Sequence, residues 1–409
     1  MKGLITMQFT EKNFIPLIFA NDINVYSVAR AFYEQYGVKS YVYGKAADGT
    51  CYRSKLVEYQ AVKDCDQKET IKKIANGFAE KHRDKKIIII GCGDNYVRRI
   101  SANKGEFAEN IIVPYMDESV LAKLMDKEQF YGLCEKHGIL YPEAIECTKD
   151  NYKTAAPSFG PPYILKPGNG VMYFANPFEG QKKVFTLESK EELDDTLEKV
   201  YASGYTANMI IQDYVPGDDT YMRVLTGFSD KNGKVKMMCL GHVLLEEHTP
   251  YGIGNHAVII TEYEPELTGI FKKFLEEIGY VGFFNFDIKY DKRCGKYKVF
   301  EINVRQGRSN YYVTGAGLNV AKYFIEGFVE EKELEYTECK KENLWMVVPK
   351  GVAFKYVRND EYRKKMKELI KSGNYVNPLR FKEDNGLKRN IKLCKSQLGH
   401  YMKFKKYYS

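Results

Sequence analysis

"VFEINVRQGRSN", residues 299–310, is the stretch on which the reading of this chain turns. Val299, Phe300, Ile302 and Val304 belong in a core, yet Glu301, Asn303 and Arg305 interrupt them at every second position. Strand side chains alternate faces, so a carboxylate, an amide and a guanidinium share one face, stepped by about 6–7 Å. The preceding run "FFNFDIKY" (283–290) carries Asp287 in equally apolar surroundings. Two carboxylates side by side in a core repel each other unless a cation is present. One reading pairs Asp287 and Glu301 with Lys289 or Arg305 in a structural ion network. The other has Asp287, Glu301 and Asn303 hold Mg²⁺ through hard oxygen donors, with room for two ions and for phosphate oxygens. On the residues alone both stay open.

Two lysines further upstream bear on the choice. Lys166 follows the buried run "YIL" and precedes Pro-Gly, so its ammonium is presented at a loop. The stretch 116–144 has helical periodicity that ends at His137-Gly138, and Lys127 sits near the start of a helix within it; a cation there suits a phosphate better than it suits the helix dipole. Residues 208–305 read as an antiparallel sheet, including the hairpin around "SDKNGK". Before them, "FIPLIFA" (14–20), "KSYVYG" (39–44) and "KIIIIGCGDN" (86–95) are strands alternating with helices at 24–37 and 67–83, a small parallel α/β unit. Strand-end loops in such sheets face ligands. Asn21, Asp22 and Asn24 either do so or cap the next helix.

Taken in order, "DKEQFYGLCEKHGILYPEA", "YILKPGNG", "IIQDYVPGDD", "FNFDIKY" and "FEINVR" resemble the ATP-grasp superfamily over roughly 116–328. The resemblance implies an α/β N-terminal domain (1–115), a two-subdomain α+β ATP-grasp fold (116–205 and 206–330) and a basic C-terminal extension (331–409). It implies Lys127 and Lys166 on the phosphates of ATP, Gln212, Asp213 and Val215 at the adenine hinge, and Asp219 on the ribose. Asp287, Glu301 and Asn303 match the ligands of Mg²⁺, which Mn²⁺ can replace. Arg305 matches the arginine that steadies the activated carboxylate. The chain departs from the pattern at Gln212 and Asp219, where Glu is usual, and in a terse "KPGNGVMYF" loop. From Phe14 to Gly317 it is most similar to the D-aspartate ligase branch of carboxylate–amine ligases. That branch implies D-aspartate joined to a lysine side-chain amine of a UDP- or lipid-linked muropeptide, with Arg305, Arg308 and Lys166 as catalytic residues. A ligase with other substrates and a non-catalytic nucleotide-binding protein are the alternatives. The loop 246–258, with His248 and His256, reads as a cover over the site, and Arg223 either reaches substrate or pairs with Asp219.

Composition bounds the rest. The 409 residues have 44% hydrophobic content, no long apolar run and no signal-like start, and the nine cysteines lack any Cys-x-x-Cys pair. A reducing cytoplasm is the expectation. The net charge of +8 is concentrated in the tail: residues 350–409 hold 17 Lys/Arg against 5 Asp/Glu. No nucleic-acid motif accompanies that charge; the plainer reading is a solvated, lysine-rich helical end, and the sharper one an anionic partner, either a phosphorylated substrate or a membrane surface in peripheral contact.

Overall fold

The computed structural model describes residues 7–250 and 252–408, apart from the side chain of Val171. The N-terminal strands β1 (Phe14–Phe19), β2 (Ser40–Gly44), β3 (Val57–Ala61), β4 (Lys86–Gly91) and β5 (Ile111–Ile112) form one parallel sheet in the order β3-β2-β1-β4-β5. Helices α1 (Ile23–Tyr36), α2 (Lys68–Lys81) and α3 (Asp94–Ser101) accompany it. Helix α1 begins where Asp22 accepts from the amides of Asn24 and Val25, and it stops where Gly37 turns left-handed. Asp22 is therefore a cap. The short β3 and β5 escaped the sequence reading.

The helical pattern expected over 116–136 is two helices, α4 (Glu118–Met125) and α5 (Lys127–Lys136). Asp126 leaves helical geometry between them and caps α5 through the amide of Gln129. A four-stranded antiparallel sheet follows, with β6 (Ala144–Cys147), β7 (Tyr163–Pro167), β8 (Phe185–Leu187) and β9 (Met209–Asp213) in the order β6-β9-β7-β8. Helices α6 (Gly170–Ala175) and α7 (Lys190–Ala202) complete this unit, so "GVMYFA" is a short helix instead of a loop. Strand β9, expected in the larger sheet, belongs here: its backbone pairs with β6 and β7.

The larger sheet is built on β10 (Met222–Ser229), β11 (Val235–Glu246), β12 (His256–Glu262), β13 (Gly282–Asp291) and β14 (Lys296–Asn303), with helix α8 (Pro265–Glu277) between β12 and β13. Short helices α9 (Tyr311–Gly315) and α10 (Val320–Phe324) lead to β15 (Thr337–Glu338), β16 (Leu344–Met346) and β17 (Tyr375–Val376), all of which join the same sheet. The basic C-terminal region is thus folded onto the sheet, and helices α11 (Lys350–Tyr356), α12 (Asp360–Lys371) and α13 (Leu387–Tyr407) belong to it. One core cluster carries Ile18 and Ile90 together with Val258, Trp345 and Phe404, so the N-terminal sheet, the large sheet and α13 share packing. Among the described residues no helix is long and apolar enough to cross a membrane.

Candidate active site

The site begins with a one-residue irregularity. In the β13–β14 ladder Asp287 faces Glu301, but the next pair is Ile288 with Val299, so Phe300 is the extra residue of a bulge. The bulge resolves the parity problem in the sequence. Val299 and Ile302 are both buried, although an unbroken strand would have put Val299 on the face of Glu301. Asn303 faces Asn285, two pairs further along, and donates to Asp287 Oδ2 at 3.3 Å. Arg305 donates to Asn303 Oδ1 at 3.0 Å. The sequence-predicted face is assembled.

Its electrostatics are uneven. Burial, then the carboxylates of Glu301 and Glu246, push Asp287 well above its usual range. Burial would raise Glu301 too, but Lys127, Lys166, Lys183 and Arg305 outweigh it and hold it below the usual range. Lys127 Nζ lies 3.9 Å from Glu301. Neither Asp287 nor Glu301 forms an ion pair with Lys289 or Arg305: Lys289 donates to the Gly217 carbonyl, and Arg305 is held by Asp94. The structural network that competed with the metal reading is not what these residues form. Two carboxylates and an amide are a hard-oxygen donor set that fits Mg²⁺. Among the described residues no group of three or more His, Cys, Asp or Glu side chains is arranged to hold a metal.

Lys127 and Lys166 come from different elements, the first turn of α5 and the end of β7. They line one cleft of about 390 Å³ with Lys183, Gly168, Ile210 and Glu301. Burial and the neighbouring Lys127 push Lys166 well below the usual lysine range. Its ammonium donates to Gln212 Oε1, while Gln212 Nε2 is buried without a partner. Two lysines converging on one cavity repel each other, which polyphosphate oxygens would relieve.

The hinge residues divide. Val215 is buried, and the Asp213 carboxylate is taken up by Arg293, whose two terminal nitrogens reach it at 3.0 and 2.6 Å. Asp213 therefore offers only backbone to a ligand, and its amide already donates to Glu143. Asp219 accepts from the Glu246 amide at 2.8 Å and from His248 at 3.0 Å. That hydrogen bond raises the His248 pKa despite partial burial. Beneath them Glu246 is largely buried, and burial together with Asp219 pushes it up to about 7. Burial takes His256 down to about 4, and it sits 3.5 Å from Glu246 as a neutral ring. Arg223 pairs with Glu262 at 2.6 Å and not with Asp219. Arg308 lies 3.9 Å from Glu247, at the edge of the loop 246–258, in which Tyr251 is outside the described residues.

Sequence reasoning missed Asp94. It sits in the first turn of α3, where it binds Arg305 Nε at 3.0 Å and the Val304 amide at 3.2 Å. Asn24, in the first turn of α1 just beyond β1, donates to the Gln306 carbonyl and accepts from Asn310. The strand ends of the N-terminal sheet thus grip residues 304–310, and the "GCGDN" loop was the available signal.

The chain has relatives among known proteins, which bear on its family and fold. A D-aspartate ligase from Enterococcus faecium (strain Aus0004) is 40% identical over 413 residues, which covers 97% of each chain. This chain belongs to the D-aspartate ligase family. It is a carboxylate–amine ligase with the ATP-grasp fold that its motif order implied. No family model matches the sequence. An N5-carboxyaminoimidazole synthetase from Staphylococcus aureus complexed with ADP superposes with a TM-score of 0.61 at 15% identity, covering 89% of each chain. An L-amino acid ligase from Bacillus licheniformis gives 0.54 at 13% identity, covering 78% of this chain and 75% of its own. The likeness to the D-aspartate ligase extends over 97% of this chain; with the solved structures the likeness is one of fold.

Proposed function

We propose that the cleft binds ATP and that the chain joins the β-carboxylate of D-aspartate to the side-chain amine of a lysine in a peptidoglycan precursor. The observation that carries this reading is the continuous line Lys166, Lys127, Glu301, Asp287, Asn303, Arg305, which runs from paired ammonium groups through oxygen donors to a buried guanidinium. Lys127 and Lys166 take the phosphates, the backbone of 212–215 takes the base, and Asp219 takes the ribose on leaving His248. Asp287, Glu301 and Asn303 hold Mg²⁺, which neutralises charge on the phosphoryl oxygens when bound.

Arg305 is fixed by Asp94 and Asn303, with donor capacity left for a carboxylate, and Arg308 stands one turn of chain further on. An aspartate held there presents a carboxylate oxygen to the γ-phosphorus. That oxygen forms the new P–O bond as ADP leaves with the bridging electrons. The lysine amine then adds to the acyl carbon, the C–O bond to phosphate breaks, and the amide forms with loss of a proton. No protein nucleophile is needed; positioning and fixed charge do the work. Such a precursor is made on the cytoplasmic side, where free thiols such as those of the nine cysteines are stable.

The test is ADP release over D- and L-amino acids, with and without a lysine-bearing muropeptide. D-aspartate plus the muropeptide is expected to give the fastest release. Equal or faster release with another amino acid would overturn the assignment.

A further inference from the structure

Helix α13 is not a loose basic tail. Its inner side is fixed by Arg389, which pairs with the fully enclosed Asp384 at 2.9 Å and donates to the Leu379 carbonyl. Asp384 in turn accepts from Tyr26 and Ser54, and Gln397 donates to the Val347 carbonyl. Phe404 is buried, and the last turn lies against the loop that carries His248, with the Tyr408 and His248 rings 4.4 Å apart. These contacts set which side of the helix faces outward.

The outward side is apolar. Leu387, Ile391, Leu398 and Met402 are 78, 49, 65 and 70% exposed. At 3.6 residues per turn these four fall within about 60° of one another, opposite the buried Arg389, Gln397 and Phe404. Lys388, Lys395, Lys405 and Lys406, all exposed, stand among and beside them, and residues 387–407 contain no Asp or Glu. A groove of about 610 Å³ opens along the same helix and adds Lys350, Arg380 and Tyr401 to its lining.

We infer that this face of α13 docks the enzyme on an anionic lipid bilayer surface. An apolar stripe bordered by lysines and lacking any carboxylate has the form of an interfacial helix: the stripe enters the headgroup boundary while the ammonium groups meet lipid phosphates. A second copy is the poorer occupant, because an isologous contact would bring two sets of lysines together. Since α13 ends beside His248, docking holds the 246–258 loop near the membrane. The inference rests on α13 alone and is independent of which substrates are joined.

The experiment is co-sedimentation of the full chain with vesicles of phosphatidylcholine alone or with 30% phosphatidylglycerol, at roughly 0.1 and 0.5 M salt. The wild-type chain is expected to bind the anionic vesicles at low salt, at least about tenfold better than the neutral ones, and to release at high salt. Leu398→Glu/Met402→Glu is expected to lose binding about tenfold or more, with unchanged melting temperature and unchanged turnover of soluble substrates. Lys395→Gln/Lys405→Gln/Lys406→Gln is expected to abolish the preference for anionic lipid. Wild-type protein that ignores anionic vesicles, or a Glu/Glu variant that binds as well as wild type, overturns the inference. So does a wild-type dimer that the Glu/Glu variant dissolves without vesicles present.

Discussion

The hairpin β13–β14 carries two acidic clusters, one near each end, and they are built to opposite rules. Near the turn, Asp291 and the incoming Asp213 are closed off by Arg293 and Lys298, at 2.7 and 3.0 Å from Asp291. The Arg293 guanidinium holds Asp291 far below the usual carboxylate range despite its burial. At the other end Asp287 faces Glu301, Lys127 comes no nearer to Glu301 than 3.9 Å, and Asp287 is pushed well up. The closed cluster ties the small sheet to the large one. The open cluster leaves charge unbalanced in a cleft, which is what a site for a metal and a polyphosphate requires.

That contrast can be broken from either side. The largest effect is expected at the open end: Lys166→Met or Glu301→Gln should lower ligase turnover by about a thousandfold, since fixed charge toward the phosphoryl group is the main contribution. Steady-state ADP release measures it, and a loss below tenfold would contradict the role. At the closed end, Arg293→Ala should cost about 2 kcal/mol of unfolding free energy, because it leaves Asp213 and the buried Asp291 with Lys298 alone. Urea unfolding reads this, and turnover per folded molecule should change far less than in the first pair. An unchanged midpoint would mean that the cluster is not structural.

A smaller effect is expected at Asp94. Asp94→Asn removes the carboxylate that orients Arg305, and should raise KM for the amino acid about tenfold while leaving KM for ATP within about twofold. A loss of kcat alone would move Asp94 to another role. The smallest effect concerns His242, on β11. Burial, then the Arg223 charge, pushes it down to about 4, while its Nε2 is 2.8 Å from the Thr220 carbonyl. Neutral in the fold but basic when unfolded, it contributes stability that is present above about pH 6.5 and is lost as pH falls toward 4. Melting curves across that window should show a decline of up to about 1.4 kcal/mol per pH unit from this group. His242→Gln should remove this group's share of the decline, leaving that of His256.

The sequence made some of this legible and hid the rest for physical reasons. Continuous apolar runs such as Phe14–Phe19 and Lys86–Gly91 announce buried parallel strands, and Gly37 and Gly138 announce helix ends. The polar face of β14 was readable because its period is that of a strand. The bulge at Phe300 was not, since it inserts one residue without a sequence mark. Strand β3, "VEYQA", is mostly exposed, and β5 spans two residues, so neither carries enough apolar signal. The partners Asp94 and Arg305 lie 211 residues apart. Asp213 looked like a ligand-facing hinge residue because its guanidinium partner, Arg293, sits in a turn 80 residues downstream.

The most direct test of the open cluster is Asp287→Asn, with ADP release and melting temperature measured on the same preparation. Removing one of two facing carboxylates relieves repulsion, so the melting temperature should stay level or rise while Mg²⁺-dependent turnover falls about a thousandfold. Retained turnover, or a loss matched by unfolding, would contradict the claim that this end of the hairpin is built for phosphoryl transfer.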